Sequence, residues 1–154
     1  MQLQQRIPMN EATIVTANRL TWAGIIPFLG TAILGAIGVW QGQLMHVFLI
    51  YSAVILSFLG GIHWGLIMAG KFENPQGSLI ICMFPSIAAW ISVAFLPPLW
   101  AIGALGFIYL IWLRYDLKRV SQKWYEQVRQ PVTFVVAGSH FLWFITLATE
   151  MRVG

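Results

Sequence analysis

The chain has 154 residues, of which 58% are hydrophobic, 14% aromatic and only 9% charged, and its mean hydropathy is +0.75. Soluble domains carry roughly a quarter charged residues, so this composition predicts an integral membrane protein with at most about five or six membrane-spanning helices. The chain has no room for a soluble catalytic or ATPase domain, and its single cysteine, Cys82, excludes a disulfide framework and a cysteine-based metal site.

The hydropathy pattern predicts an all-α membrane protein, a compact bundle of about five transmembrane helices. A polar cytoplasmic segment, residues 1–18, lacks the apolar core of a cleaved secretory signal, and a single membrane domain follows at residues 19–150. The expected helices are 20–40, 44–69, 79–96, 99–113 and 131–149. The fourth is too short to span, since it rises only about 22 Å against a hydrocarbon core of about 30 Å. Either it continues through Arg114, or the third and fourth helices form a shallow hairpin.

Residues 114–130, between the fourth and fifth helices, predict a cytoplasmic amphipathic helix lying at the membrane interface. Leu117, Val120, Trp124 and Val128 fall on one helical face, and the basic residues lie mostly elsewhere. An ordinary loop against anionic lipid headgroups and a docking surface for a soluble partner or a specific lipid are both open interpretations.

The distribution of basic residues predicts the orientation in the membrane. With the N-terminus inside, every lysine and arginine except Arg152 falls on the inner side. Cytoplasmic loops collect these residues, so we expect the N-terminus in the cytoplasm and the C-terminus outside.

Small residues recur at every fourth position of the second predicted helix, at Ala53, Ser57, Gly61, Gly65 and Ala69. Such a face lets another helix approach closely in lipid. The partner is either a helix of the same chain or a neighbouring subunit, including a second copy of this chain.

His63 lies on roughly the opposite face of that helix, on a stripe with Ser52, Leu56 and Leu59. A titratable ring inside a bilayer suggests a functional site. The alternative is a neutral imidazole that bonds one carbonyl or hydroxyl and has a structural role only.

Three predicted helices carry irregular or polar residues at one depth, about 10 Å from the inner surface, and a fourth carries His140 slightly deeper. Prolines leave carbonyl groups unbonded, here at Ala23 and Ile81, and those carbonyls need donors. A polar pocket opening from the inner leaflet is therefore one interpretation, and coincidence between two prolines is the other. The candidate pocket residues are Pro27, His63, Trp64, Pro85, Ser86 and His140.

Two histidines at similar depth permit a haem iron between His63 and His140, although nothing in their spacing makes them face one another. The sequence identifies no other metal site and no cofactor. All five acidic residues, Glu11, Glu73, Asp116, Glu126 and Glu150, fall in predicted loops or interfaces. Neither a Ser-His-acid hydrolase nor a proton pump with buried carboxylates is therefore expected.

Four segments form a recognisable set of motifs. The most specific is the run Ser57-Phe58-Leu59-Gly60-Gly61-Ile62-His63-Trp64-Gly65. The others are Gly24-Ile25-Ile26-Pro27-Phe28, Pro85-Ser86 with Ala89-Trp90, and Trp124-Tyr125 followed by Arg129-Gln130-Pro131-Val132-Thr133. These segments resemble the domain-of-unknown-function family 3429, the family of the mitochondrial transmembrane protein 69. The resemblance covers about residues 18 to 147 and implies a bacterial inner membrane or its mitochondrial counterpart. It implies no activity.

Together these features favour a non-enzymatic small subunit or assembly factor of a larger energy-converting complex in the inner membrane, holding a lipid or quinone-like molecule at the inner leaflet. A small oligomeric transporter or channel, with His63 and the proline breaks lining its path, is the alternative. Expected partners are membrane lipids and other membrane subunits or a second copy, not nucleic acid.

Overall fold

A computed structural model describes residues 10–153, and within that range the chain forms seven helices and no strand. Five stretches of these residues are long and apolar enough to cross a membrane. The predicted all-α membrane bundle is thus confirmed, and the protein is a multi-pass membrane protein. The helices are α1 Glu11–Ala23, α2 Ile26–Ala36, α3 Gln41–Met68, α4 Pro75–Cys82, α5 Phe84–Phe95, α6 Pro98–Arg119 and α7 Lys123–Val153.

Successive crossings run in opposite directions, with α1 and α2 together making the first and α4 and α5 together the third. Helices α3 and α6 end, and α4 and α7 begin, at the same end of the bundle, which we call the basic end. Helix α6 packs along α7, and α3 packs against α2 and α5. The core lies where α3, α6 and α7 meet, and its largest fully buried side chains are Trp112, Trp143, Tyr109, Phe28 and Phe48.

The first crossing begins at Glu11, nine residues before the predicted start at Leu20. The Asn10 side chain accepts a hydrogen bond from the Ala12 backbone N–H at 3.1 Å and caps the helix. Residues 11–18 therefore belong to the first helix, so the predicted helix start at residue 20 is wrong. Residues 1–9 of the predicted N-terminal segment lie outside the described residues.

Both interrupted crossings break just before a proline. Pro27 lies in the first turn of α2 and Pro85 in the first turn of α5, where a missing backbone N–H costs no helix hydrogen bond. At the first break the Tyr51 hydroxyl donates to the Gly24 carbonyl at 2.9 Å.

The fourth crossing continues through Arg114 to Arg119, which gives α6 a length of about 33 Å and removes the need for a shallow hairpin. Lys118 and Arg119 occupy its last turn, where the helix dipole favours cations. The predicted interfacial helix 114–130 is therefore wrong. Its first residues end α6, its last residues begin α7, and only residues 120–122 connect the two helices.

Candidate functional site

A buried carboxylate, Asp116, lies at the basic end between α6, α7 and α3, with 1% of its surface exposed. Arg129 Nε donates to Asp116 Oδ2 at 2.7 Å. The Tyr125 hydroxyl donates to the same carboxylate, 2.9 Å from Oδ2 and 3.1 Å from Oδ1. His63 Nε2 lies 3.3 Å from Oδ1, within ion-pair distance. We call His63, Asp116, Tyr125, Arg129 and Thr133 the Asp116 cluster.

Helical spacing brings the cluster together. Tyr125, Arg129 and Thr133 recur every four residues on α7 and so share one face. Asp116 shares a face of α6 with the buried residues Tyr109 and Trp112. That face packs on α7, so the carboxylate is carried into the interior by its own helix.

The Arg129 guanidinium is only partly satisfied. Besides its bond to Asp116, its Nη1 atom donates to Thr133 Oγ1 at 3.0 Å. Nη2 is buried and has no hydrogen-bond partner among residues 10–153. Buried donors without partners are uncommon in native proteins. Within the described residues both ring nitrogens of His63 and the indole nitrogens of Trp112 and Trp143 also lack hydrogen-bond partners, and of these residues only Arg129 lines the cavity described below.

Aromatic side chains enclose His63, which is completely buried. Its ring centroid lies 5.1 Å from that of Trp112 and 5.3 Å from that of Tyr115. The Arg119 guanidinium lies over the Tyr115 ring at 5.4 Å. The predicted stripe of Ser52, Leu56, Leu59 and His63 does face the protein interior.

A second buried polar cluster lies deeper and centres on His140. Its Nδ1 lies 2.8 Å from the carbonyl of Val136, and its Nε2 lies 2.8 Å from Ser52 Oγ. Since a carbonyl only accepts, Nδ1 carries the proton and the Ser52 hydroxyl donates to Nε2. The Tyr109 hydroxyl donates to the Ser52 carbonyl at 2.8 Å. Both ring nitrogens of His140 are therefore occupied.

This arrangement excludes His63 and His140 as joint ligands of one haem iron. Ser52, the partner of His140, lies eleven positions before His63 on α3, which is about 16 Å along the helix. Metal–imidazole bonds are only about 2 Å long. Within the described residues, no group of three or more His, Cys, Asp or Glu side chains could hold a metal ion.

A cavity of about 470 Å³ opens beside the Asp116 cluster, between α1, α3 and α7. Its wall is mostly apolar, and Tyr125, Arg129 and Thr133 contribute polar groups on the α7 side. Leu20 and Phe58 also line it and are 68% and 64% exposed, so it opens sideways toward the membrane. The remaining lining residues are Ala17, Thr21, Gly24, Ile25, Phe28, Ile55, Leu59, Ile62, Tyr109, Trp124, Val128, Val132 and Val136.

The pocket residues predicted from depth do not meet in one place. His63 belongs to the Asp116 cluster and His140 to the deeper one, and neither lines the cavity. Trp64 is 46% exposed, and Pro27 and Ser86 are half-buried. Depth along a helix leaves the direction of each side chain around that helix undetermined.

The small-residue face of α3 is packed within the chain only along its first part, where Ala53 and Ser57 are half-buried. Gly61, Gly65 and Ala69 are exposed, and a Cβ added at either glycine would meet nothing within 4 Å among the residues described. The close approach is made by the adjacent Gly60, where an added Cβ would overlap the carbonyl oxygen of Cys82. Close packing of α3 on the third crossing therefore depends on Gly60.

Sequence reasoning missed Asp116, Tyr125, Arg129 and Thr133 as site residues. The fourth helix was ended at Leu113, which placed Asp116 in an interfacial segment, and the expectation that no carboxylate is buried is wrong. The signal was present, since Leu105, Tyr109, Trp112 and Asp116 follow helical spacing on one face.

Comparison with known proteins places this arrangement in a family. Residues 14–145 match the family described as Protein of unknown function (DUF3429). The chain is 30% identical over 129 residues to transmembrane protein 69 of Xenopus tropicalis, an alignment that includes 76% of this chain and 49% of that protein. The chain thus spans about half the length of this curated relative. No solved structure matches the chain.

The matched residues include the whole Asp116 cluster, His140 and every residue that lines the cavity. The match therefore extends over the functional candidates as well as the transmembrane helices, and the chain belongs to the DUF3429 family.

Proposed function

We propose that this protein is a non-enzymatic membrane subunit or assembly factor that holds one lipid or quinone-like molecule in the cavity between α1, α3 and α7. The cavity carries the proposal. Its volume of about 470 Å³ lies within the range of roughly 300–1,000 Å³ that is usual for small-molecule sites, and such sites combine apolar walls with a few polar groups.

The lateral opening suits a molecule that enters from the bilayer. Exposed Leu20 and Phe58 stand on α1 and α3 at the two sides of the opening. Part of a bound amphiphile can then lie between the helices while the rest stays among the lipids. This geometry favours holding a membrane-soluble molecule over passing a polar one across the membrane.

The polar groups beside the cavity favour binding over chemistry. The Asp116 carboxylate already accepts hydrogen bonds from Arg129 and Tyr125. In the described part of the chain, it is not hydrogen-bonded to a serine or cysteine that it might activate. A role in positioning a bound molecule fits these contacts.

We place the protein in a bacterial inner membrane with the basic end in the cytoplasm. Lysine and arginine concentrate at that end, and Arg152 lies at the other. The positive-inside rule supports this orientation.

A role within a larger complex has separate support from α3. Gly61, Gly65 and Ala69 form an exposed strip of small residues on a membrane-spanning helix. Strips of this kind let a second transmembrane helix approach closely. A foreign subunit or a second copy of this chain is the partner that fits such a strip.

Purification in a mild detergent, followed by native mass spectrometry and lipid extraction, tests the proposal. We expect one bound lipid or quinone per chain, together with foreign membrane subunits. Ala17→Phe, at a half-buried position lining the cavity, should remove the bound molecule. Ala12→Phe, an exposed site on the same helix, should keep it.

An empty protein, or equal occupancy in both variants, would contradict the cavity proposal. A homo-oligomer without foreign subunits would favour the transporter alternative over the complex role.

A further inference from the structure

We infer that Arg129 receives the polar head of the molecule in the cavity, and that this head is an anionic oxygen acceptor, a phosphate or a carboxylate. The inference rests on the proposed function, because it names the chemical class of the molecule that the same cavity holds.

The first observation is the free guanidinium donor. Arg129 is 6% exposed and lines the cavity. Its Nε and Nη1 atoms donate to Asp116 and Thr133, whereas its buried Nη2 atom has no partner in residues 10–153. A buried charged donor is costly without an acceptor, so the natural occupant of the adjacent space supplies an oxygen atom.

The second observation is that Arg129 is held in place before any molecule binds. Asp116 and Thr133 fix two sides of the planar guanidinium, and Tyr125 in turn donates to Asp116. The Nη2 donors therefore point in one direction without further loss of side-chain freedom. Preorganised donors of this kind increase affinity because less ordering accompanies binding.

The third observation is the charge of the surroundings. Asp116 balances Arg129 itself, but the basic end as a whole carries more cations than anions. Among the described residues it holds Arg19, Lys71, Arg114, Lys118, Arg119, Lys123 and Arg129 against Glu11, Glu73, Asp116 and Glu126. The excess positive charge attracts an anion and favours it over a neutral carbonyl group.

The apolar remainder of the molecule follows from the rest of the wall. From Arg129 the cavity extends past Val132 and Val136 toward Phe28 and Ile55. This surface accommodates a hydrocarbon chain, with the head at the basic end and the tail directed into the membrane. A fatty acid and an anionic phospholipid share this chemistry, and the experiment separates them.

The test measures binding to the delipidated full chain in a neutral detergent by native mass spectrometry. The probes are oleate, phosphatidylglycerol, phosphatidylcholine, a short-chain ubiquinone analogue and inorganic phosphate. We expect oleate or phosphatidylglycerol to bind at least about tenfold more tightly than the quinone, as a charge-assisted hydrogen bond implies. We also expect both to bind more tightly than phosphatidylcholine, because the choline cation cancels the charge of its phosphate and the excess positive charge of the basic end disfavours that cation. The tighter of the two anions identifies the source, and inorganic phosphate, which lacks a tail, should bind far more weakly.

Arg129→Lys keeps the charge but loses the planar set of donors, and we expect it to reduce the preference for anions. Arg114→Lys makes the same chemical change at an exposed position of the basic end and should leave the preference intact. Where Arg129→Lys fails to fold, Asp116→Asn combined with Arg129→Gln removes both charges together, which membrane interiors tolerate better than one unpaired charge.

The outcomes separate the two proposals. Three results would overturn the inference about the head group and leave the cavity proposal standing. The first is equal binding of phosphatidylcholine and phosphatidylglycerol with no preference for oleate. The others are tighter binding of the quinone and an unchanged preference for anions in Arg129→Lys. Binding of none of the amphiphiles would overturn the cavity proposal itself.

Discussion

Arg129 Nε and Asp116 Oδ2 are joined by a hydrogen bond of 2.7 Å that ties the first turns of α7 to the last turns of α6. The pair spans a three-residue connection, residues 120–122. It therefore fixes the relative rotation of two helices whose contact forms much of the core.

We expect Asp116→Asn and Arg129→Gln each to lower stability strongly, because either change leaves a buried charge unpaired. Removal of one partner of a buried pair costs about 3–5 kcal/mol. The double variant should lose less than the sum of the two single losses, with a coupling of about 0.5–3 kcal/mol. Thermal unfolding in detergent measures all three.

The Gln41–Glu150 hydrogen bond at the opposite, exposed end provides a control. Glu150→Gln should change stability by less than about 0.5 kcal/mol. Strictly additive losses at Asp116 and Arg129 would mean that the two residues do not act as a pair.

Gly60 and Gly61 give a matched test of helix packing within the chain. Gly60→Ala should destabilise the protein by about 1–3 kcal/mol, since the obstacle is the backbone carbonyl of Cys82 and cannot rotate away. Gly61→Ala should leave the isolated chain unchanged or slightly more stable, since its Cβ enters open space. The unfolding temperatures of the two purified variants decide the matter, and a reversed order would refute the packing described for α3.

For the deeper cluster, the bonds of His140 predict one tautomer, with the proton on Nδ1. Nitrogen NMR of ring-labelled protein measures the tautomer directly. His140→Leu should lower stability by about 1–3 kcal/mol, because the Ser52 hydroxyl loses its acceptor in the core. His46→Leu, at an exposed position of α3, is the control and should be nearly neutral. A proton on Nε2 would contradict the assigned donor and acceptor roles.

The orientation of the bundle can be read by labelling single cysteines. In a Cys82→Ala background, Ser121→Cys in the α6–α7 connection should react with an impermeant maleimide from the cytoplasmic side only. Gln43→Cys, in the first turn of α3, should react from the outside only. Both follow from the excess of basic residues around residue 121, and labelling of Ser121→Cys in intact cells would invert the assignment.

The sequence predicted what helical periodicity alone can specify. Ser52, Leu56, Leu59 and His63 do share one face of α3, because positions on a single helix follow from 100° per residue. Helix ends were less well predicted. Polar residues were read as leaving the membrane, yet residues 11–18 and 114–119 continue their helices through polar sequence.

Helical periodicity does not predict which helices contact one another. The small residues at Gly61 and Gly65 are compatible with a helix neighbour or with lipid, because both are apolar. Gly60, which makes the close approach, stands one residue away and shows no distinct signal. Asp116 was missed for a different reason, since the fourth helix was ended at Leu113 although α6 continues to Arg119.

Ser52 and His63 occupy the same face of α3 and meet different helices, His140 of α7 in one case and Asp116 of α6 in the other. These two contacts lie about 16 Å apart along the helix, and together they fix the rotation of α3 about its own axis. One residue inserted between Ser52 and His63 would rotate His63 by about 100° around the helix axis. The two buried contacts, Ser52 with His140 and His63 with Asp116, therefore also determine which way the exposed small-residue strip of α3 faces. A helix that docks on this strip meets a surface whose orientation is set by the core.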